Sequence, residues 1–188
     1  MAKIATHDSA TGERSKNLLH ALFTPFARCQ TKTIKQQYVC GVRYFDLRVD
    51  KDLTLCHGLW KANKNLADIL IEMRGYVTET TYITVTIERK YSDEVNNKLM
   101  MKIRNLVNLH GRMVKLVYIA KKKPSWTILK ECYSVEVKAG YLSVPTPKQY
   151  LTLSIKDWRR YIPIPWVLKK ITPKVDFSSK WFTMIDFV

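Results

Sequence analysis

The sequence is poor in the residues that form linkers and turns: its 188 residues include only six glycines and seven prolines. Long linkers are rich in these residues, and the length suits one core, so we predict a single domain over residues 1–188. No apolar run approaches the roughly 18–20 residues that a membrane span requires. Residues 1–7 contain no apolar signal-peptide core. These absences predict a cytoplasmic or peripheral membrane protein with no transmembrane segment.

Paired cysteine motifs are also missing. Cys29, Cys40, Cys56 and Cys132 stand singly, with no CxxC pair and no spacing typical of a zinc site. We therefore predict free thiols in a reducing compartment and no structural metal.

Acidic residues are scarce, with 16 Asp and Glu against 32 Lys and Arg, which gives a formal charge of +16. The excess is +6 over residues 1–110 and +10 over residues 111–188. It indicates nucleic acid, an anionic membrane or an anionic small substrate as partner, unless it is only a solvated lysine-rich surface. Since no nucleic-acid-binding motif is legible, nucleic acid is the least favoured of these partners.

Helical and strand-like periodicities alternate over the first 120 residues, which is typical of an α/β fold with a mostly parallel sheet. Apolar residues at helical spacing over residues 15–28, interrupted by Pro25, predict helix there: Leu18, Leu19, Leu22, Phe23 and Phe26. Further helices are predicted over residues 31–40 and 64–76, and from a cap at Ser92 to Gly111. Strands are predicted over residues 42–50, 82–89, 113–120, 133–137, 150–155 and 181–188.

Ionisable side chains stand near the carboxyl ends of several predicted strands, namely His7, Asp46, Arg48, Glu88 and Asp186. In a parallel barrel those ends meet at one face, where active sites form. The pattern predicts a charged site there, although strand ends that simply emerge into water would look similar.

A second histidine, His57, follows the Asp46–Arg48 strand within Cys56-His57-Gly58. Together with His7 it flanks that strand with two groups able to exchange protons. A base, an acid and a fixed cation are the set that phosphodiester cleavage requires.

Four sequence blocks carry a resemblance to a known family: Thr6-His-Asp-Ser-Ala-Thr-Gly12, Cys29-Gln-x-x-x-Ile34-x-x-Gln37, Gly41-Val-Arg-Tyr-Phe-Asp-Leu-Arg48 and Cys56-His-Gly58. In this order they resemble the phosphatidylinositol-specific phospholipase C X-domain family, of the bacterial type. The end of the chain, Met184–Val188, also looks like the family's closing strand. The resemblance implies a TIM-like (β/α) barrel. Because such barrels typically need about 250 residues, we expect a shortened or irregular one.

The resemblance also implies site roles, carried over to matching positions. His7 matches the general base that deprotonates an inositol hydroxyl, and His57 the general acid for the departing glyceride oxygen. Asp8 matches the carboxylate paired with the acid, Asp186 the one that orients His7, and Arg48 the phosphoryl-binding arginine.

Arg48 stands where calcium-dependent members of the family carry a carboxylate, so the resemblance implies chemistry without a metal cofactor. A weaker alternative is Ca²⁺ held by Asp46 and Glu88, both hard oxygen donors. Otherwise Glu88 would anchor Arg48 or a neighbouring cation, and Asp46 would serve substrate binding or support.

The aromatic and basic stretch over residues 157–170 includes Trp158 and Trp166 and is typical of a membrane-facing rim, or of a proline-bounded loop packed on the protein. The expected function is a phosphoric diester hydrolase or lyase acting on phosphatidylinositol or a related phosphodiester, with an anionic phospholipid surface as partner. The alternatives are a non-catalytic basic module that binds phosphoinositide or nucleic acid, and an enzyme acting on glycerophosphodiesters.

Overall fold

A computed structural model describes residues 4–135, 137–139 and 182–185, which contain nine strands and six helical segments. The strands are β1 (Ile4–Thr6), β2 (Val42–Val49), β3 (Thr54–His57), β4 (Trp60–Asn65), β5 (Thr81–Ile87), β6 (Val114–Lys121), β7 (Thr127–Glu131), β8 (Val137–Ala139) and β9 (Phe182–Ile185). The helices are a short 3₁₀ helix (Ser9–Gly12), α1 (Leu18–Ala21), α2 (Thr24–Ala27), α3 (Ile34–Val39), α4 (Leu66–Tyr76) and α5 (Asp93–His110).

The central sheet has the strand order β7-β6-β5-β2-β1-β9-β8. All its neighbours are parallel except the edge pair β6–β7, and the ribbon β3–β4 joins β2 in antiparallel fashion. The predicted α/β fold with a mostly parallel sheet is therefore confirmed. Among the described strands the order is open, ending at β7 and β8, so these strands do not close into a barrel.

The two faces of β2 have different partners, as its alternating sequence predicts. Phe45, Leu47 and Val49 point into the main hydrophobic core, which also includes buried residues of α4 and α5. Tyr44 lies on the opposite face, in a small cluster with Ala5 and Val117. Asp46 and Arg48 share that face because side chains alternate along a strand, and so the parallel strands carry their ionisable groups away from the core.

The helical stretch predicted over residues 15–28 is two one-turn helices, α1 and α2, and the predicted interruption lies at the start of α2. Pro25 is in the first turn of α2, where its missing N–H is tolerated but a helix running through from α1 is not. Of the apolar residues at helical spacing, Phe23 packs against the core. The others are exposed: Leu18, Leu19, Leu22 and Phe26. Helical spacing alone does not show that a face is buried.

Other predicted elements are confirmed with small shifts, and two regions differ. The ribbon β3–β4 was not predicted, and the strand expected over residues 133–137 is displaced: strands lie at Thr127–Glu131, which pairs with β6, and at Val137–Ala139. The N-terminal cap of α5 is confirmed, since the Ser92 side chain accepts from the Val95 N–H. The predicted strand over residues 150–155 lies outside the described residues. None of the described helices is long and apolar enough to cross a membrane.

Gly12 ends the 3₁₀ helix where another segment crosses it, and this contact requires a glycine. A Cβ at Gly12 would overlap the Lys32 carbonyl, which is itself held by the Gln37 side chain, the Nε2 donating at 2.7 Å. The same Nε2 donates to the Ser9 carbonyl at 2.7 Å, so Gln37 joins both segments.

We predict that Gly12→Ala lowers the free energy of unfolding by about 1–3 kcal/mol, because neither backbone segment can move aside. Gly75→Ala is the matched control: its Cβ would meet nothing within 4 Å, and it lies in α4. It should raise the free energy of unfolding by about 0.5–1 kcal/mol through helix propensity. Urea unfolding of both variants measures the difference, and equal effects would contradict this account of Gly12.

Candidate active site

The site begins at the turn that follows β1. Asp8 adopts a left-handed backbone conformation, with φ of 43°, and the 3₁₀ helix starts at the next residue. The Thr11 hydroxyl donates to the Asp8 carbonyl at 2.8 Å and accepts from the backbone N–H groups of Cys29 and Gln30 at 3.0 Å. This turn fixes His7, Asp8 and the Cys29 segment in one place.

The Asp8 carboxylate is the centre of the cluster and is almost fully buried. Its Oδ1 forms an ion pair with Arg48 Nε. Its Oδ2 lies 3.4 Å from His7 Nε2 and 3.3 Å from His57 Nε2, and it accepts from the Cys29 thiol at 3.6 Å. One carboxylate thus faces a guanidinium, two imidazoles and a thiol.

Charges around Asp8 keep it ionised in spite of burial. Burial alone raises the pKa of Asp8, but the charges of Arg48, His57 and His7 outweigh it and hold that pKa well below its ordinary value. Burial tends to lower the pKa of Arg48, yet Asp8, Asp46 and Glu88 raise it above its usual range. Asp8 and Arg48 are therefore a buried, fully charged pair.

Asp46 lies beneath this pair and responds differently. Burial raises its pKa, an effect that Arg48 opposes and the neighbouring Asp8 charge reinforces. Its oxygens accept from the Asp8 backbone N–H at 3.3 Å and from the Thr84 hydroxyl at 3.2 Å. Asp46 thus supports the Asp8 turn from below.

The His7 ring faces a group that can only donate. Arg48 Nη2 lies 2.9 Å from His7 Nε2. A guanidinium has no acceptor, so this contact is a hydrogen bond only when His7 Nε2 is unprotonated. Asp8 Oδ2, 3.4 Å from the same nitrogen, is an acceptor, so His7 Nε2 lies between a donor and a carboxylate.

The His57 ring faces two acceptors. Its Nδ1 lies 2.7 Å from the Ala27 carbonyl, and its Nε2 lies 3.3 Å from Asp8 Oδ2. A ring with protons on both nitrogens could therefore donate to both acceptors. Both histidines lie close to Asp8 Oδ2, and they differ in their second partner, which is Arg48 at His7 Nε2 and the Ala27 carbonyl at His57 Nδ1.

Glu88 links the two sides of the site. Its Oε2 accepts from Arg48 Nη1 at 3.4 Å, and its Oε1 accepts from Lys122 Nζ at 2.8 Å and from the Gly58 backbone N–H at 3.1 Å. Because Gly58 follows His57, Glu88 fixes the base of the His57 loop as well as two cations.

Six of the residues singled out from the sequence come together here: His7, Asp8, Asp46, Arg48, His57 and Glu88. Asp186, Trp158 and Trp166 lie outside the described residues, so their roles stay predictions. β9 does lie beside β1 in parallel, with Ile185 opposite Thr6.

Sequence reasoning missed Lys122 and Cys29 as members of the cluster. Lys122 directly follows β6, the neighbour of the strand that ends before Glu88, so the rule that found Glu88 would have found it too. Cys29 reaches Asp8 from an irregular segment, so strand periodicity gives no signal for it, although it begins the second of the four sequence blocks that carry the family resemblance.

Acidification tests the charged state of Asp8. A carboxyl whose pKa is lower in the folded chain stabilises the fold at pH above its unfolded value of 3.8, and this stabilisation is lost as pH falls toward the folded value. We predict that Asp8→Asn lowers the free energy of unfolding by about 3 kcal/mol at pH 7, since it leaves Arg48 without its nearest counter-charge.

The difference in the free energy of unfolding between Asp8→Asn and the unmodified chain should become smaller as pH falls below 3.8. Urea unfolding at pH 7, 5 and 3 measures this difference. Asp68→Asn is the control, because it removes a different carboxylate, one that caps the N-terminus of α4. A difference for Asp8→Asn that does not change with pH would show that its charge does not stabilise the fold.

Comparisons with known proteins follow the geometry. No family model matches the chain. A 1-phosphatidylinositol phosphodiesterase of Listeria monocytogenes is 27% identical over 105 residues, covering 56% of this chain and 32% of that protein. A PI-PLC X-box domain-containing protein of Dictyostelium discoideum is 30% identical over 125 residues, covering 58% of this chain and 16% of that protein. The chain therefore matches a third or less of the length of these curated relatives.

A structural comparison shows a shared fold. The phosphatidylinositol-specific phospholipase C from Listeria monocytogenes superimposes with a TM-score of 0.60 at 15% identity, over 99% of this chain and 88% of that one. The open sheet described above is thus a variant of that protein's fold. These comparisons confirm the resemblance of the chain to the phosphatidylinositol-specific phospholipase C X-domain family.

Proposed function

We propose that the chain is a phosphodiesterase that cleaves phosphatidylinositol, or a closely related phosphodiester, by acid–base catalysis with two histidines. The observation that carries the proposal is the placement of two histidines within 3.4 Å of one buried carboxylate, Asp8. Arg48 contacts His7 Nε2, and the Ala27 carbonyl contacts His57 Nδ1. The names of the two curated relatives and of the Listeria protein support phosphatidylinositol as the substrate class.

In the proposed reaction, Arg48 Nη2 exchanges its contact with His7 Nε2 for a phosphoryl oxygen, and His7 Nε2 takes the proton from a substrate hydroxyl next to the phosphodiester. The freed oxygen attacks phosphorus and forms a new P–O bond, while the P–O bond to the glyceride oxygen breaks. His57 gives its Nε2 proton to that leaving oxygen, so that a cyclic phosphodiester and a free alcohol result. Arg48 supplies fixed positive charge to the phosphoryl oxygens.

The proposed chemistry needs no metal ion. The oxygens that would hold Ca²⁺ are already directed at donors: Asp46 accepts from Asp8 N–H and Thr84, and Glu88 from Arg48, Lys122 and Gly58. Arg48 and Lys122 place two positive charges where a calcium ion would have to lie, which disfavours the alternative calcium site at Asp46 and Glu88.

We predict that His7→Ala and His57→Ala each lower turnover of phosphatidylinositol vesicles at least a hundredfold, in the range that proton-transfer groups contribute. His110→Ala, at the end of α5, is the control and should keep the activity of the unmodified chain. The assay is run with and without chelator, and activity should not fall on chelation. Lipid binding without turnover by the unmodified chain would instead support the non-catalytic basic module.

A second substrate separates the two roles. An inositol phosphodiester with a good leaving group, such as a nitrophenolate, needs no proton from an acid but still needs the base. His57→Ala should therefore retain far more activity on this substrate than His7→Ala does. The reverse ranking would show that the two roles are exchanged.

An exposed apolar patch supports a membrane as the place where the substrate is met. The patch consists of Leu18, Leu19, Leu22, Phe26 and Leu59, all more than half exposed. It adjoins the site directly: the carbonyl of Ala27, at the end of α2, binds the His57 ring, and the Leu59 carbonyl binds the His20 ring at 2.9 Å.

The surroundings of this patch fit an anionic lipid surface. Lys16 and Arg28 flank α1 and α2 in the chain, and both are exposed. Leucine and phenylalanine side chains can enter the acyl boundary while each basic group near anionic lipid adds about 1 kcal/mol of attraction. We propose that this patch lies on the membrane during turnover, in addition to the rim predicted at Trp158 and Trp166.

We predict that the double variant Leu18→Ser/Leu22→Ser binds anionic vesicles at least tenfold more weakly and loses vesicle turnover in proportion. Its activity on a water-soluble inositol phosphodiester should be unchanged, because neither side chain contacts the site residues described above. Leu109→Ser, on α5, removes an equally exposed leucine and is the matched control. Unchanged vesicle binding by the double variant would contradict the membrane role.

A further inference from the structure

A three-residue cluster within the site has the composition of a soft-metal centre. The ligand atoms of His7, Asp8 and Cys29 all lie within 4.8 Å of one another. Asp8 and Cys29 are buried, and His7 is partly exposed toward solvent, which leaves a path by which an ion can enter.

Two of the three distances between the ligand atoms match tetrahedral zinc, and the third, between His7 and Cys29, is within 4.8 Å. Zinc binds imidazole nitrogen and carboxylate oxygen at about 2.0–2.2 Å and thiolate sulfur at about 2.3 Å, so tetrahedral ligand atoms lie roughly 3.3–3.8 Å apart. Asp8 Oδ2 lies 3.4 Å from His7 Nε2 and 3.6 Å from Cys29 Sγ. An ion placed among the three atoms would thus require little movement of Asp8.

The donor set selects the class of metal. Imidazole and thiolate ligands suit Zn²⁺ and its analogue Co²⁺, whereas Ca²⁺ and Mg²⁺ take oxygen ligands almost exclusively. This is a different donor set from the pair of carboxylates considered for calcium, and it shares neither Asp46 nor Glu88.

The Cys29 thiol helps this site to accept an ion beside Arg48. An ion that displaces the thiol proton to solvent gains a thiolate next to the Asp8 carboxylate, a negative charge that the carboxylate pair considered for calcium does not gain. Arg48 Nη2 would give up its hydrogen bond to His7 Nε2, while Arg48 keeps its ion pairs with Asp8 and Glu88.

We propose that His7, Asp8 and Cys29 form a zinc site in which the ion inhibits the enzyme. The ion occupies the His7 Nε2 lone pair, the atom that must accept the substrate proton, so bound zinc and catalysis exclude each other. The inhibition rests on the proposed function, but the binding does not.

The test uses Co²⁺ as a spectroscopic substitute for Zn²⁺ on the full chain. The background carries Cys40→Ser and Cys132→Ser, which removes the two exposed thiols. One equivalent of Co²⁺ should give a thiolate-to-cobalt charge-transfer band and the visible bands of a tetrahedral ion, both reversed by Zn²⁺.

Cys29→Ser in this background should lose the charge-transfer band and weaken metal binding at least tenfold. Cys56→Ser is the matched control: it removes the other buried thiol, whose pKa burial raises to about 12, and should keep the band. His7→Ala should also weaken binding at least tenfold, which guards against misfolding of one variant, and circular dichroism checks each fold.

The outcomes separate the two proposals. A band that survives Cys29→Ser, or that is absent in the background chain, would overturn the zinc site whether or not the chain turns over lipid. A band that depends on Cys29 in a chain without any turnover would support the zinc site and contradict the proposed function. If both proposals are correct, one equivalent of Zn²⁺ abolishes turnover and chelator restores it. The Cys29→Ser variant should then need at least tenfold more Zn²⁺ to be inhibited to the same fraction of its own metal-free rate.

Discussion

The described site depends on one buried carboxylate that stays charged. Asp8 is almost fully buried, and an isolated carboxylate in that position would be neutralised rather than remain ionised. Arg48 prevents this through its ion pair, and Arg48 is in turn buried only because Asp8, Asp46 and Glu88 surround it. Removing either partner would leave the other charge uncompensated, so the pair specifies a single arrangement of the strand ends.

Much of the local fold serves to place that carboxylate. The left-handed turn at Asp8, the Thr11 hydroxyl that ties in Cys29 and Gln30, and the glycine at position 12 bring the first strand's end over the second. Strand β2 then presents Arg48 from below, two residues after Asp46 and on the same face. The β3 ribbon delivers His57, whose ring is fixed by the Ala27 carbonyl.

The sequence predicted most of this arrangement because two simple periodicities are strong in it. Alternation in Val42–Val49 and Thr81–Ile87 assigns Asp46, Arg48 and the end at Glu88 to strand faces and termini, and the structure brings those residues together. The same reasoning cannot predict contacts made by irregular segments. Cys29 and the β3–β4 ribbon depend on turns and on cross-chain hydrogen bonds that no periodic pattern records.

Helical spacing of apolar residues did not predict burial in α1 and α2. Leu18, Leu22 and Phe26 have the spacing of a buried helical face, yet they are exposed on two one-turn helices. Apolar periodicity normally predicts packing because burial of such side chains stabilises the fold. These exposed side chains could be buried only by contact with another surface. For this reason the exposed patch beside the His57 ring is part of the proposed function.

The position of Asp8 between the two histidines matters for the whole proposed cycle, and not only for its first step. In that reaction the positive charge leaves His57 and appears on His7, since one ring gives up a proton while the other gains one. Asp8 Oδ2 lies 3.3 Å from one Nε2 and 3.4 Å from the other, so its attraction for the charge is nearly the same before and after the transfer. A carboxylate placed much closer to His57 would hold the acid in its protonated form and raise the barrier. One nearer to His7 would hold the ring cationic and unable to accept a proton. Near-equal distances let a single fixed charge stabilise both protonation states, and the buried pair with Arg48 is what keeps that charge fixed.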